Sequence, residues 1–236
     1  MQASHVFEAD RVLKNQRDFF PEKKFLPQDP VNVLDIGCGG ASLAGFLAPE
    51  TETMIGMDIS LEVLKQVRQK LGSNVGADKV HLVVADASQL PFRDECMDYV
   101  MSRYTLHHTQ LDTSLPEIHR ILLPDGQVFL RDIFARWPAL ERSVVFQVLK
   151  VFIKVLLFTK GQGLKSGYRY MKFSLTRESL DHMLYENRLV DPETYESTHR
   201  RWFPGCSFES LRTRILFWEA PVLRWQKPRK PNEPGP

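Results

Sequence analysis

Three carboxylates in this 236-residue chain stand where apolar runs end: Asp35, Asp58 and Asp86. Asp35 lies two places before a Gly37-x-Gly39 turn, and Asp58 follows 23 residues later. A glycine turn between a strand and a helix lets a ligand approach the backbone and presents free N–H groups to it. An acid about 20 residues beyond such a turn can accept both hydroxyls of a ribose. The plainer role for Asp58 is to cap the next helix, for which Ser60 is equally placed. A carboxylate as near the turn as Asp35 would repel a pyrophosphate but suits a cationic ligand. The dinucleotide pattern G-x-G-x-x-G/A fails here, because its sixth position is Ser42.

A second set of residues could move a proton. His107 and His108 follow the fourth apolar run, and Asp132 ends the fifth. An imidazole titrates near about 6.5, which suits a general base. Consecutive residues do not both face one pocket, so His107 is expected to face it and His108 to pack on the next helix. Asp132 is a rival base. Arg103 and Tyr104 are placed to line the channel to the reacting atoms.

The elements that must position these groups alternate. Strands are expected over Val31–Ile36, Thr53–Ile59, Val80–Ala87, Met97–Tyr104 and Gln127–Ile133. Helices are expected after the glycine turn, with Leu43, Phe46 and Leu47 inward, and over Leu61–Leu71 and Leu111–Leu123. Such alternation makes a parallel sheet that binds ligands at its strand C-termini.

Five ordered motifs carry a resemblance. They are Val33-Leu-Asp-Ile-Gly-Cys-Gly39, Gly56-Met-Asp-Ile-Ser60, Ala85-Asp-Ala87 with Leu90-Pro-Phe92, Leu106-His-His108, and Glu117-x-x-Arg120-x-Leu122-x-Pro124-Asp-Gly126. Together they resemble the class I S-adenosylmethionine-dependent methyltransferases, in the type 11 subgroup that includes ubiquinone and menaquinone C-methyltransferases. The resemblance implies an α/β, Rossmann-like, doubly wound sheet of seven mostly parallel strands. It implies a C-terminal antiparallel hairpin and a helical lid insertion after strand five. S-adenosylmethionine is the implied cofactor, bound by Asp35, Gly37, Cys38, Gly39, Asp58, Ile59, Asp86, Ala87, Ser102 and Arg103. Asp86 would accept from the adenine amino group, and the Ala87 N–H would meet a ring nitrogen. His107, Tyr104 and Asp132 are the catalytic candidates, and no metal is implied. An N-terminal helix over residues 4–20 would close over the cofactor, with Arg11 or Lys14 meeting its carboxylate. The chain departs from the pattern at Ala41, where a third glycine is usual, and at Asp125, in place of the first glycine of Gly-Gly.

One domain over 1–226 is expected, with a cap over 1–30, a lid over 134–167 and a disordered tail over 227–236. Leu140–Phe158 is apolar nearly all round, with a narrow polar stripe of Ser143, Gln147, Lys150 and Lys154. It reads as a buried or homodimer-forming helix, as a substrate lid, or as a peripheral membrane contact. Lys160–Gly167 reads as a flexible link, Tyr168 and Tyr170 as core, and Thr176 as the cap of a helix reaching Asn187. Val190–Trp202 and Leu211–Trp218 read as the final hairpin, with Phe203–Ser207 between them near the active-site mouth.

Three cysteines form no disulfide or metal pattern, and a cytoplasmic setting is expected. Residues 1–130 carry 12 Lys+Arg and 18 Asp+Glu, and residues 131–236 carry 19 and 11. The function expected is methyl transfer by in-line displacement to a small lipophilic or aromatic acceptor. One alternative is tRNA modification, using Arg200, Arg201, Arg212, Arg214, Arg224, Lys227, Arg229 and Lys230 on phosphates and Trp202 on a base. Another is a non-catalytic S-adenosylmethionine-binding protein.

Overall fold

The computed structural model describes residues 26–27, 29–39, 47–71, 77–134, 138–141, 143–176, 190–211 and 220–229. The N-terminal helix with Arg11 and Lys14, Ala41, the helix after Thr176, and residues 212–218 lie outside them.

Seven strands form one sheet in the order β3-β2-β1-β4-β5-β7-β6. These are β1 (Asn32–Ile36), β2 (Thr53–Asp58), β3 (Val80–Val84), β4 (Met97–Arg103), β5 (Leu122–Arg131), β6 (Ser207–Leu211) and β7 (Ala220–Gln226). The first five pair in parallel, and β7 runs antiparallel to both β5 and β6. The order reverses at β1, so the crevice beyond β1 and β4 is the topological switch point, where such sheets bind ligands.

The pleat sorts the core into two layers. Val33, Tyr99, Met101 and Phe129 face one side, where Leu64, Val67 and Leu71 of α1 (Leu61–Leu71) pack on them. Leu34, Ile36, Val100 and Leu130 face the other, under Leu115, Ile118 and Ile121 of α2 (Leu111–Ile121). Burial on both faces explains why these strands read as continuous apolar runs.

Several boundaries differ from expectation. β3 ends at Val84, leaving Asp86 in a turn, and Asp132 lies one residue past β5. The helix expected to Leu123 stops at Ile121, and β5 takes over at Leu122. Val190–Trp202 is not a strand. Pro192–Trp202 is helix α5, with Asp191 as its N-cap accepting from Thr194 N at 2.9 Å and Pro192 in its first turn. That cap chemistry overrides the β-favouring Tyr195 and Thr198. The hairpin is therefore β6–β7.

Phe203 and Cys206 are buried in the second core layer, and Trp225 Nε1 donates to Pro204 O at 2.8 Å. The Phe203–Ser207 turn thus serves the hairpin and not the active-site mouth. The tail is ordered at its start: Lys227 exchanges backbone bonds with Gly126 and Asp125, and its ammonium donates to Leu122 O at 2.8 Å.

After β5 come a helical turn (Pro138–Glu141) and two helices, α3 (Val144–Gln162) and α4 (Leu164–Ser174). The expected flexible link is a break of one residue: Gly163, at φ +87°, donates its N–H to Thr159 O. Tyr168 is exposed and Tyr170 half-buried, so neither belongs to the core. The polar stripe of α3 is inverted: Gln147 and Lys150 are buried, while Val145, Val148, Leu149, Phe152 and Leu156 are more than half exposed.

Candidate active site

The glycine turn is built by local strain and then locked from three directions. Gly37 and Gly39 take φ of +68° and +49°, which L side chains rarely adopt. Cys38 N donates to Met57 O at 2.9 Å, and Gly39 N donates to Asp58 Oδ2 at 3.1 Å. Thr105 Oγ1 lies 3.4 Å from Gly37 O. The turn is thereby fixed to the ends of both β2 and β4.

Asp58 spends one oxygen on Gly39 N and the other on Ser60 N, at 2.9 Å. Each carboxylate oxygen accepts more than one bond, so capacity remains for a ligand. Ser60, not Asp58, caps α1: its Oγ accepts from Val63 N at 3.3 Å. Ile59 beside it is 60% exposed, an apolar side chain left uncovered at a strand end. Asp86 Oδ1 accepts from Ser88 N and Oγ at 2.8 and 2.7 Å, which holds its carboxyl below the usual range. Ala85 N donates to Asp58 O at 3.2 Å, so the second and third acids sit at neighbouring strand ends.

Other expected ligand groups face inward. The Cys38 side chain is buried against Gly56, and burial, then Asp35 and Asp58, push its thiol well up. Only the Cys38 backbone is left to meet a ligand. Ser102 Oγ donates to Ile36 O at 3.1 Å, which ties β4 to β1 and uses its hydroxyl internally. Asp35 and Ala87 are buried as well. Arg103 is half-buried at the end of β4.

Asp132 and His107 form one unit instead of rival bases. Asp132 Oδ1 is 2.5 Å from His107 Nδ1, and Oδ2 accepts from His107 N at 2.8 Å. Both residues are buried. A carboxylate accepts, so in this bond Nδ1 is the donor and Asp132 selects the tautomer that leaves Nε2 turned away from it. The segment Leu106–His108 is a 3-10 turn, which brings the two histidine rings together at 3.9 Å. The two rings are tilted by 47° to each other. Tyr104 takes φ +53°, and the Arg131 guanidinium sits 5.1 Å from its ring centroid.

Two residues missed from sequence feel the charge of Asp132. Tyr195 and His199, one turn apart on α5, are both buried, with rings 4.0 Å apart. His199 Nδ1 bonds Tyr195 O at 2.7 Å, whereas Tyr195 Oη and His199 Nε2 have no hydrogen-bond partner among the described residues. Burial, then Asp132, push the Tyr195 hydroxyl well up. Burial lowers His199 to about 4, against the opposing pull of Tyr195 O and Asp132. The signal for these two was the Asp191-Pro192-x-Thr194 helix start, which puts positions 195 and 199 on one face.

Four of the cations proposed for tRNA make bonds within the protein. Arg200 bonds Glu196 and Cys206 O, Arg201 pairs with Asp112, Lys227 with Glu95, and Arg229 with Asp125. Trp202 packs against the core. Arg212, Arg214 and Lys230 lie outside the described residues. A cleft of about 430 Å³ lined by Tyr99, Gln127, Gly205, Arg224 and Trp225 opens beside the early part of β5, and none of the candidate cofactor-binding or catalytic residues lines it.

Comparison with known proteins agrees with this geometry. A family model described as a methyltransferase domain matches residues 34–130. Residues 34–130 carry a class I S-adenosylmethionine-dependent methyltransferase domain. It is 26% identical over 194 residues to the demethylmenaquinone methyltransferase of Symbiobacterium thermophilum, covering 80% of this chain and 75% of that one. It is 31% identical over 148 residues to a 2-phytyl-1,4-naphtoquinone methyltransferase of a Nostoc species, covering 61% and 64%. Among solved structures, phosphoethanolamine N-methyltransferase 2 of Haemonchus contortus, in complex with S-adenosyl-L-methionine, shares the fold. Its TM-score is 0.60 at 16% identity, covering 88% of this chain and 51% of that one. S-adenosylmethionine is the cofactor of this methyltransferase domain. The donor set suits it, with three acids and an exposed Ile59 around a glycine turn where, among the described residues, a Cβ on Gly39 would meet only Gly37 O at 3.9 Å.

Proposed function

We propose that the protein transfers a methyl group from S-adenosylmethionine to a small apolar or aromatic acceptor. When bound, the cofactor supplies a methyl group already activated by a sulfonium. Asp58 holds the ribose, Asp86 the adenine amino group, and Ile59 covers the base. The Gly37–Gly39 backbone leaves room for the amino-acid end, near the negative charge of Asp35. Alignment and exclusion of water then supply most of the acceleration.

The observation that carries the reading is the His107–Asp132 pair, two residues from Thr105, which itself touches the glycine turn. Asp132 orients the ring, and His107 Nε2 takes a proton from an acceptor hydroxyl or acidic carbon. Tyr195 Oη and His199 Nε2 are further buried polar atoms beside Asp132, available to an acceptor's oxygen. The names of the two quinone-type relatives support an apolar acceptor. The test is a methyl-transfer assay on naphthoquinol and phenolic acceptors, beside a titration with S-adenosylmethionine. Cofactor binding without turnover on any acceptor, tRNA included, would favour the non-catalytic reading.

A further inference from the structure

The exposed surface of α3 and α4 carries chemistry that methyl transfer does not use. Along α3, Val145, Val148, Leu149, Phe152 and Leu156 follow helical spacing and are 51–79% exposed. Along α4, Leu164, Tyr168, Met171 and Leu175 recur at i, i+4, i+7 and i+11, all exposed. Beside that stripe runs a second one, Lys165, Arg169 and Lys172, also exposed, and Lys160 lies at the end of α3. Gly167 brings the two helices close: a Cβ there would sit 1.9 Å from Thr159 Oγ1.

The charge is one-sided. Residues 144–174 contain six Lys and Arg, of which Lys150 is buried, and no Asp or Glu. Residues 131–236 carry 19 cations and 11 acids, so this stretch supplies six of that half's excess of eight positive charges. The basic character of the C-terminal half comes mainly from this helix pair. Apolar and cationic stripes side by side on an exposed helix are what a membrane interface binds. No described helix is long and apolar enough to cross a membrane.

We infer that the α3–α4 pair docks on an anionic lipid surface, its apolar stripes entering the headgroup boundary and its lysines and arginines meeting lipid phosphates. A second copy of the chain is the rival occupant. A two-fold interface is self-complementary and would set this unbalanced positive charge against itself. An anionic bilayer neutralises it. The inference stands apart from the proposed reaction, since it needs no cofactor or acceptor.

The experiment is flotation of the full chain with vesicles of phosphatidylcholine alone and with added phosphatidylglycerol. Binding to the anionic vesicles and its loss at high salt are expected. Each of Lys165→Gln and Lys172→Gln should lower the partition coefficient about fivefold, and Val145→Ser with Phe152→Ser should abolish binding. Unchanged S-adenosylmethionine affinity in each variant shows that the fold is intact and keeps this result separate from the methyltransferase reading. Absence of binding to anionic vesicles, or equal binding to neutral ones, overturns the inference. So does a dimer in sedimentation that the Val145 and Phe152 substitutions dissolve. The lysine variants and the lipid comparison decide the matter even if the serine variants do not fold.

Discussion

Asp132 grips His107 with both carboxylate oxygens, one on ring Nδ1 at 2.5 Å and one on the backbone N–H at 2.8 Å. Oδ1 also accepts from Ile133 N at 2.8 Å. With its acceptor positions so engaged, Asp132 orients the imidazole and leaves proton transfer to Nε2. Asp132→Asn puts an amide donor against Nδ1 and favours the wrong tautomer. Both it and His107→Gln should lower kcat by about 100-fold or more, with cofactor affinity unchanged in calorimetry. Full turnover in His107→Gln would remove the pair from the chemistry.

Asp58 couples the glycine turn to β2 and offers its remaining acceptor capacity to the ribose. Asp58→Asn keeps one acceptor and loses the charge. Its affinity for S-adenosylmethionine should fall by about tenfold or more, and Asp58→Ala should cost more. An unchanged dissociation constant would contradict the ribose assignment.

The two glycines of the turn predict unequal costs. A Cβ on Gly37 would lie 2.1 Å from Thr105 Oγ1 and 2.6 Å from its Cβ, at φ +68°. Gly37→Ala should therefore destabilise by roughly 3 kcal/mol. Among the described residues a Cβ on Gly39 meets only Gly37 O at 3.9 Å, so Gly39→Ala should cost about 1 kcal/mol of backbone strain. Denaturant midpoints of the two variants check the difference.

His199 predicts acid sensitivity. Its folded value lies near 4, below the usual 6.5 of the unfolded chain, because it is buried. Between those values the unfolded state binds a proton that the folded state refuses, so stability falls as pH drops through that window. The loss is on the order of 3 kcal/mol, fully present below about pH 4 and absent above about pH 7. His119, half-buried near Lys227, shifts the same way and adds to the effect. Denaturant midpoints from pH 7 to pH 5 should fall less in His199→Leu than in the parent.

Tyr195 separates stability from use. Its buried hydroxyl has no hydrogen-bond partner among the described residues, so Tyr195→Phe should stabilise the fold by about 1 kcal/mol. The same change should raise KM for the acceptor, since it removes a polar group beside Asp132. Full retention of acceptor KM would place Tyr195 outside the acceptor site.

The cofactor half was legible because its signals are local. An apolar run, a glycine turn and an acid at each strand end fall within a few residues, and turn chemistry is set by those residues alone. Strand burial on both faces also leaves an unbroken apolar run, so the parallel sheet could be read before its order was known. Asp125 shows the same logic: in an Asp-Gly turn it takes a left-handed φ of +63°, which Asp tolerates better than most side chains. The side-chain roles of Cys38 and Ser102 were not legible, because period-2 alternation does not say which face meets ligand and which meets core. The pairing of Asp132 with His107, 25 residues apart, is set by the parallel register of β4 and β5, and Tyr195 and His199 reach it only by folding of the C-terminal part. The same limit explains α3. Its sequence specifies a polar stripe on an apolar helix, but whether that stripe turns inward depends on what packs against it, and only the tertiary structure puts Gln147 and Lys150 inside and the apolar face outside.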